Sequence, residues 1–152
     1  MRFSYTVAFP QPHTHLYEMT FEVANVTVPQ LDLSLPTWTP GSYVLREYAR
    51  HVQDFSARNT AKQPLEWDKA DKATWRIMTN ATATQPVTLQ IFYRVYANEL
   101  ATQTSQLDST HAYFNGASLF MYVANVAGAK EQPYRLRFQL AGPTANWRVS
   151  SM

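Results

Sequence analysis

Large apolar residues recur at every second position through much of this chain. Phe3, Tyr5, Val7 and Phe9 alternate with polar or small residues until Pro10 and Pro12 end the run. Tyr17, Met19, Phe21 and Val23 repeat the pattern to about Asn25, and Leu31, Leu33 and Leu35 repeat it again before Pro36. A period of two puts alternate side chains on one face of an extended segment, so these are half-buried strands, and their short spacing predicts an antiparallel meander. The clearest strand is Val87, Leu89, Ile91, Tyr93 and Val95, which predicts a central position in a sheet. Extended segments are also predicted at 52–58, around Leu65 and Trp67, over Trp75–Thr79, through Leu119, Met121 and Val123, and through Tyr134, Leu136, Phe138 and Leu140. Trp147 and Val149 end the chain in extended spacing.

The connections read as turns and loops. Asn59–Pro64 is a hairpin-like turn, Asp68–Lys72 a solvated charged turn, and Asn80–Pro86 a polar connector. Asn115-Gly116 is a tight-turn signal, while residues 98–112 show no period and read as a loop. Only Ser42–His51, with Leu45, Tyr48 and Ala49 at i, i+3 and i+4, predicts one or two turns of helix. Roughly eight to ten short strands and at most one or two short helices predict an all-β fold, an antiparallel β-sandwich or saddle-like sheet.

Composition narrows the function classes. With 152 residues, 45% of them hydrophobic, the chain suits one domain with a packed core. A net charge of +2 without a basic run gives no electrostatic basis for nucleic-acid binding. The absence of cysteine excludes disulfides and a thiol nucleophile. No stretch approaches the 18 apolar residues of a membrane span, and the N-terminus lacks the apolar core of a signal peptide. A cytoplasmic location is the default expectation, with a periplasmic or secreted one left open.

Catalytic motifs are absent. A hydrolytic zinc site needs His-Glu-x-x-His on a helix, and none of the four histidines has that context. His13 and His15 could face one ion from an extended segment, but three protein ligands are the norm for catalytic zinc. No nucleophile elbow or phosphate loop occurs. Asp68 and Asp71 fit a charged hairpin tip better than an acid pair. No catalytic or metal-ligating residue is assigned to this chain.

The most distinctive stretch is Leu35-Pro-Thr-Trp-Thr-Pro-Gly-Ser-Tyr-Val-Leu-Arg-Glu-Tyr-Ala-Arg-His-Val52. Pro36 and Pro40 fix the backbone on either side of Trp38, and Gly41 can take the positive φ of a sharp turn. Tyr43, Arg46, Glu47 and Arg50 come next. This stretch resembles the signature of the N-terminal domain of the glycyl aminopeptidases, zinc metallopeptidase family sixty-one. The segment from Tyr5 to Tyr17, that from Tyr113 to Val123, and Asn146-Trp-Arg-Val149 resemble the same family in the same order.

The resemblance implies residues 1–152 as a non-catalytic N-terminal β domain. It implies a thermolysin-like zinc domain and a PDZ-like domain downstream, so zinc belongs to the catalytic domain. The implied partners are that domain and peptides with a free N-terminus, with a preference for glycine or alanine. The fold is also similar to the saddle domain of the alanyl aminopeptidase and leukotriene hydrolase clan, where a loop helps to bind the substrate's amine. By position, Tyr113, Phe114, Asn115 and Gly116 resemble that loop. An α-ammonium needs acceptors, which an Asn oxygen and turn carbonyls supply, and Tyr113 and Phe114 could wall a small pocket. Trp38, Pro40, Gly41, Tyr43, Arg46, Glu47 and Arg50 are the candidate interdomain or structural motif. The alternative is a free-standing β-sandwich module that binds peptide or carbohydrate through exposed aromatics such as Trp38, Trp67 and Trp75. Such a module would gather its aromatics on one exposed face, whereas an interdomain module leaves an apolar patch at one edge.

Overall fold

The computed structural model describes residues 1–151, and it is built from strands as the alternation predicts. β1 (Arg2–Ala8), β2 (Leu16–Val26), β7 (Val87–Tyr96) and β4 (Val52–Asn59) form one sheet, completed by β11 (Tyr134–Gln139) in the order β11-β1-β2-β7-β4. β3 (Gln30–Ser34), β5 (Trp67–Asp71), β6 (Thr74–Met78) and β10 (Tyr122–Val123) form a second, ordered β10-β3-β6-β5. β8 (Ser105–Leu107) and β9 (Ala112–Phe114) make a two-stranded hairpin, succeeded by a single helical turn, α1 (Gly116–Leu119).

Register explains why the faces segregate. Phe3 pairs with Val23, Tyr5 with Phe21 and Val7 with Met19, while Phe21 also pairs with Ile91 and Tyr17 with Val95. All are buried, and a slip of one residue would turn every one of them outward. Leu31 opposite Ile77 and Leu33 opposite Trp75 supply the facing layer, and both layers join one continuous core. The result is a two-layer β-sandwich. β7 lies inside its sheet, as its apolar face predicts.

Five local expectations need correction. Ser42–Glu47 is irregular, and only Tyr48–His51 winds, as a 3-10 turn. Side chains there capture backbone groups that a helix would need, since Trp38 Nε1 donates to Ser42 O and Ser42 Oγ donates to Val44 O. The charged segment from Asp68 is strand β5, with the turn displaced to Lys72-Ala73; Asp71 Oδ1 accepts from Ala73 N at 2.7 Å and fixes it. The 98–112 loop holds a hairpin strand instead, because Asp108 Oδ1 accepts from the amides of Thr110 and His111 and closes a tight turn. The strand expected from Leu119 shrinks to Tyr122–Val123, as α1 takes its first residue. Finally, Trp147 lies outside any strand and packs its ring 5.5 Å from Phe9. The sheets are antiparallel as expected, save that β11 joins β1 in parallel.

Candidate functional site: the cleft beside Asn115

The sequence signature forms a fixed loop. Pro36 and Pro40 bracket Trp38, and Gly41 adopts φ 83°, a region open to glycine at little cost. The 2.6 Å bond from Trp38 Nε1 to Ser42 O and the bond from Arg46 N to Thr37 O close the loop on itself. Its apex carries Tyr43, Val44 and Leu45 into solvent, Leu45 being 75% exposed. The loop thus presents three consecutive apolar side chains to solvent while its backbone is bonded to itself.

The same stretch holds a second loop in place. Tyr48 donates its hydroxyl to Gln103 O at 2.7 Å, and the Arg46 guanidinium donates to the Gln103 side chain. Three core tyrosines secure the chain from Gln106 to Met121. Tyr17 donates to Gln106 O, Tyr5 to Met121 O and Tyr93 to Leu119 O, while Tyr93 also accepts from Met121 N. Burial pushes all three phenols well above their ordinary range, so they remain neutral donors. The Tyr5 and Tyr93 rings belong to the alternating faces of β1 and β7. Strand periodicity thus sets where the 103–121 segment sits.

Asn115 plays a different part from a hairpin turn. It is extended, at φ −91°, and caps α1 by accepting from Ala117 N at 3.0 Å, while its Nδ2 donates to Thr102 O at 3.2 Å. Gly116 has no positive φ and begins the helical turn. The tight turn expected at Asn115-Gly116 is therefore an N-cap, a role to which Asn is equally suited. Its side-chain oxygen already has one partner.

Between the two loops lies a cleft of about 960 Å³. Trp38, Thr39 and Pro40 line one wall, Gln103, Asn115 and Gly116 another, with Tyr5, Phe120 and Tyr122 as aromatic surface and Lys130 at the side. Trp38, Pro40, Asn115 and Gly116 thus converge, although 77 residues separate Trp38 from Asn115 in sequence. Tyr113 and Phe114 do not share this cleft; they line another groove with Phe9, Phe138 and Trp147. Phe114 faces Tyr17 edge-on at 5.8 Å.

Glu47 and Arg50 separate from Arg46 and line a third depression with Trp67, Lys69 and Trp75. There Glu47 pairs with Lys72, whose hydrogen bond holds the carboxyl below its usual range. Arg50 Nε donates to His51 Nε2 at 3.1 Å, and burial together with that cation lowers the His51 pKa. Tyr43 stands fully in solvent. His15 Nδ1 lies 2.5 Å from Leu107 O, a hydrogen bond within the fold. Among the described residues no group of three or more His, Asp or Glu is placed to hold a metal. Gln103 and Lys130 are cleft residues that no sequence pattern singles out, and Tyr5, legible as a core strand residue, is not marked as a cleft residue by its alternation.

Fold and cleft define a two-layer β module whose most conspicuous surface is a rigid loop edge. The chain belongs to the peptidase M61 family: the model described as the Peptidase M61 N-terminal domain matches residues 4–152. Among solved structures it is similar to an aminopeptidase N family protein from Idiomarina loihiensis, with 26% identity and a TM-score of 0.78. That match covers 90% of this chain and 22% of the other, so the chain spans about a fifth of its neighbour's length. A mutant M1 zinc metallopeptidase from Deinococcus radiodurans, bound to a Tyr-Ser-Ala substrate, matches at 9% identity and TM-score 0.47 over 75% of this chain and 25% of its own. No curated protein matches the chain.

Proposed function

We propose that this domain is the front part of a zinc-dependent aminopeptidase, packing on its catalytic domain and helping to shape the site for the substrate's N-terminus. The observation that carries the reading is the internally bonded apolar ridge Tyr43–Leu45, standing beside the cleft that gathers the two sequence signatures. A ridge that is rigid and apolar at once fits a surface awaiting a neighbour. The same loop anchors Gln103 through Tyr48, so packing against the ridge would also fix the Gln103–Asn115 edge. Zinc and the hydrolytic machinery belong to the catalytic domain in this reading. The preference for glycine or alanine comes with the family and not with any residue of this chain.

The test uses the longer protein that contains this domain. Leu45→Asp places a charge on the ridge where the isolated domain has only solvent. It should leave the isolated domain's Tm unchanged, yet lower peptidase activity or the thermal stability of the longer protein. Unchanged activity and stability in that protein would overturn the packing role. For the substrate role, Asn115→Ala should raise KM for peptides with free N-termini, and Asn115→Ser, which can still cap α1, should not restore it. Unchanged KM and kcat would overturn that part. A module that binds through aromatics gathered on one exposed face gains nothing here, because Trp75 is buried against Phe55 while Trp38 and Trp67 line different depressions.

A further inference from the structure

The cleft beside Asn115 has a charge pattern that the front-domain reading does not require. Lys130 is the one charged side chain on its walls among the described residues, and no Asp or Glu lines it. The Lys130 ammonium sits 4.5 Å from the centroid of the Tyr122 ring, an arrangement that holds a cation at a defined place. Gln103 on the wall has its side-chain oxygen engaged by Arg46, while its amide nitrogen makes no hydrogen bond among the described residues. The remaining surface is largely apolar, and about 960 Å³ falls within the range of small-molecule sites.

We propose that this cleft binds the C-terminal residue of a short peptide, its carboxylate toward Lys130 and its apolar side chain against Tyr5, Phe120 and Tyr122. Charge complementarity carries the choice. An α-ammonium in the cleft would meet Lys130 with no acid to offset it, whereas a carboxylate meets a cation already in place. The free Gln103 amide nitrogen can donate to the last peptide unit. Membership of a peptidase family makes a peptide the natural source of such a carboxylate. Glu131, next to Lys130 in sequence, acts on Tyr134 from outside the cleft walls and tempers the positive field. The proposal places a carboxylate, not the substrate's amine, in this cleft, so it competes with the Asn115 part of the reading above and leaves the packing role of the ridge untouched.

The test is an amide-resonance titration of the 152-residue chain at low salt with N-acetyl-L-phenylalanine, its C-terminal amide, L-phenylalanine amide and 3-phenylpropionate. The acetylated acid is expected to shift Thr39, Gln103, Asn115 and Lys130 together. It should bind about fivefold more tightly than its amide, the worth of a partly exposed ion pair. Lys130→Gln should abolish that preference, Lys62→Gln on a distant turn should leave it intact, and Glu131→Gln should enlarge it. Shifts scattered over the surface, a preference that survives Lys130→Gln, or equal binding of the cationic L-phenylalanine amide would overturn the proposal. Equal binding of 3-phenylpropionate would overturn the commitment to a peptide.

Discussion

Replacing Tyr93 by Phe removes one oxygen atom from the middle of the core and leaves every carbon in place. That oxygen has two partners: it donates to Leu119 O at 2.7 Å and accepts from Met121 N at 3.2 Å. Both backbone groups sit under buried residues, since Leu119 and Met121 have no exposed surface. Water therefore cannot replace the lost partner without opening the sandwich. Each orphaned group costs about 1–3 kcal/mol, so Tyr93→Phe should destabilise the domain by about 2–4 kcal/mol. With a urea slope of roughly 1.5–2 kcal/mol per molar, the unfolding midpoint should fall by about 1–2 M. Tyr96→Phe is the control at the end of the same strand. Its hydroxyl is exposed and has only a 3.4 Å contact with Asn98 Nδ2, so its removal should cost under about 0.5 kcal/mol. Native-state exchange should report the same event locally, with the Met121 amide losing protection in Tyr93→Phe before the β2 and β7 amides do. Equal midpoints for the two variants would refute the claim that core hydroxyls hold the 119–121 segment, and with it the account of how the cleft is positioned.

The same geometry sets the other expectations. Tyr5, Tyr17 and Tyr93 have phenol pKa values raised in the folded state, so the folded protein holds protons that the unfolded chain releases above about pH 10. Their contribution is complete below that pH and is lost as pH rises further; urea midpoints should fall steeply above pH 10, and less steeply in Tyr93→Phe. Asp108 is the reverse case: hydrogen bonds from Thr110, first the hydroxyl and then the amide, push its carboxyl down to about 2. Its stabilising effect is present above the unfolded value near 3.9 and fades as pH falls toward about 2. Asp108→Ala should thus flatten the acid limb of the stability curve. Gly116→Ala should be neutral or stabilising by about 0.5–1 kcal/mol, because an added Cβ meets only the Phe120 ring at 3.4 Å. Gly41→Ala, at φ 83°, should instead cost about 1 kcal/mol or more. Equal effects in a thermal melt would contradict the assignment of Asn115-Gly116 as a helix cap.

Alternation made the sandwich legible in advance, since Phe3 to Val7, Tyr17 to Val23 and Leu89 to Val95 each carry a period that fixes which face turns to the core. Elements set by side-chain-to-backbone bonds were not legible. Asn115-Gly116 is written the same way whether it turns a hairpin or caps a helix; the choice falls to Thr102 O, which engages Asn115 Nδ2 from 13 residues away. Asp108 and Asp71 likewise fix turns that hydropathy cannot see. The helical spacing of Leu45, Tyr48 and Ala49 misled for a related reason. Leu45 sits on a solvent-facing ridge, not on a face turned to the core. Trp38 and Asn115 belong to separate stretches of sequence, and the fold brings them into one cleft. Tyr113 and Phe114, the sequence neighbours of Asn115, line another groove with Phe9, Phe138 and Trp147, a separation that adjacency in sequence does not reveal.

The central claim, that this domain serves a zinc aminopeptidase, is met most directly by reading the coding frame beyond residue 152. A His-Glu-x-x-His helix motif is expected within about the next 200 residues, one typical domain length. A frame that closes at that point, or continues without such a motif, would contradict the claim.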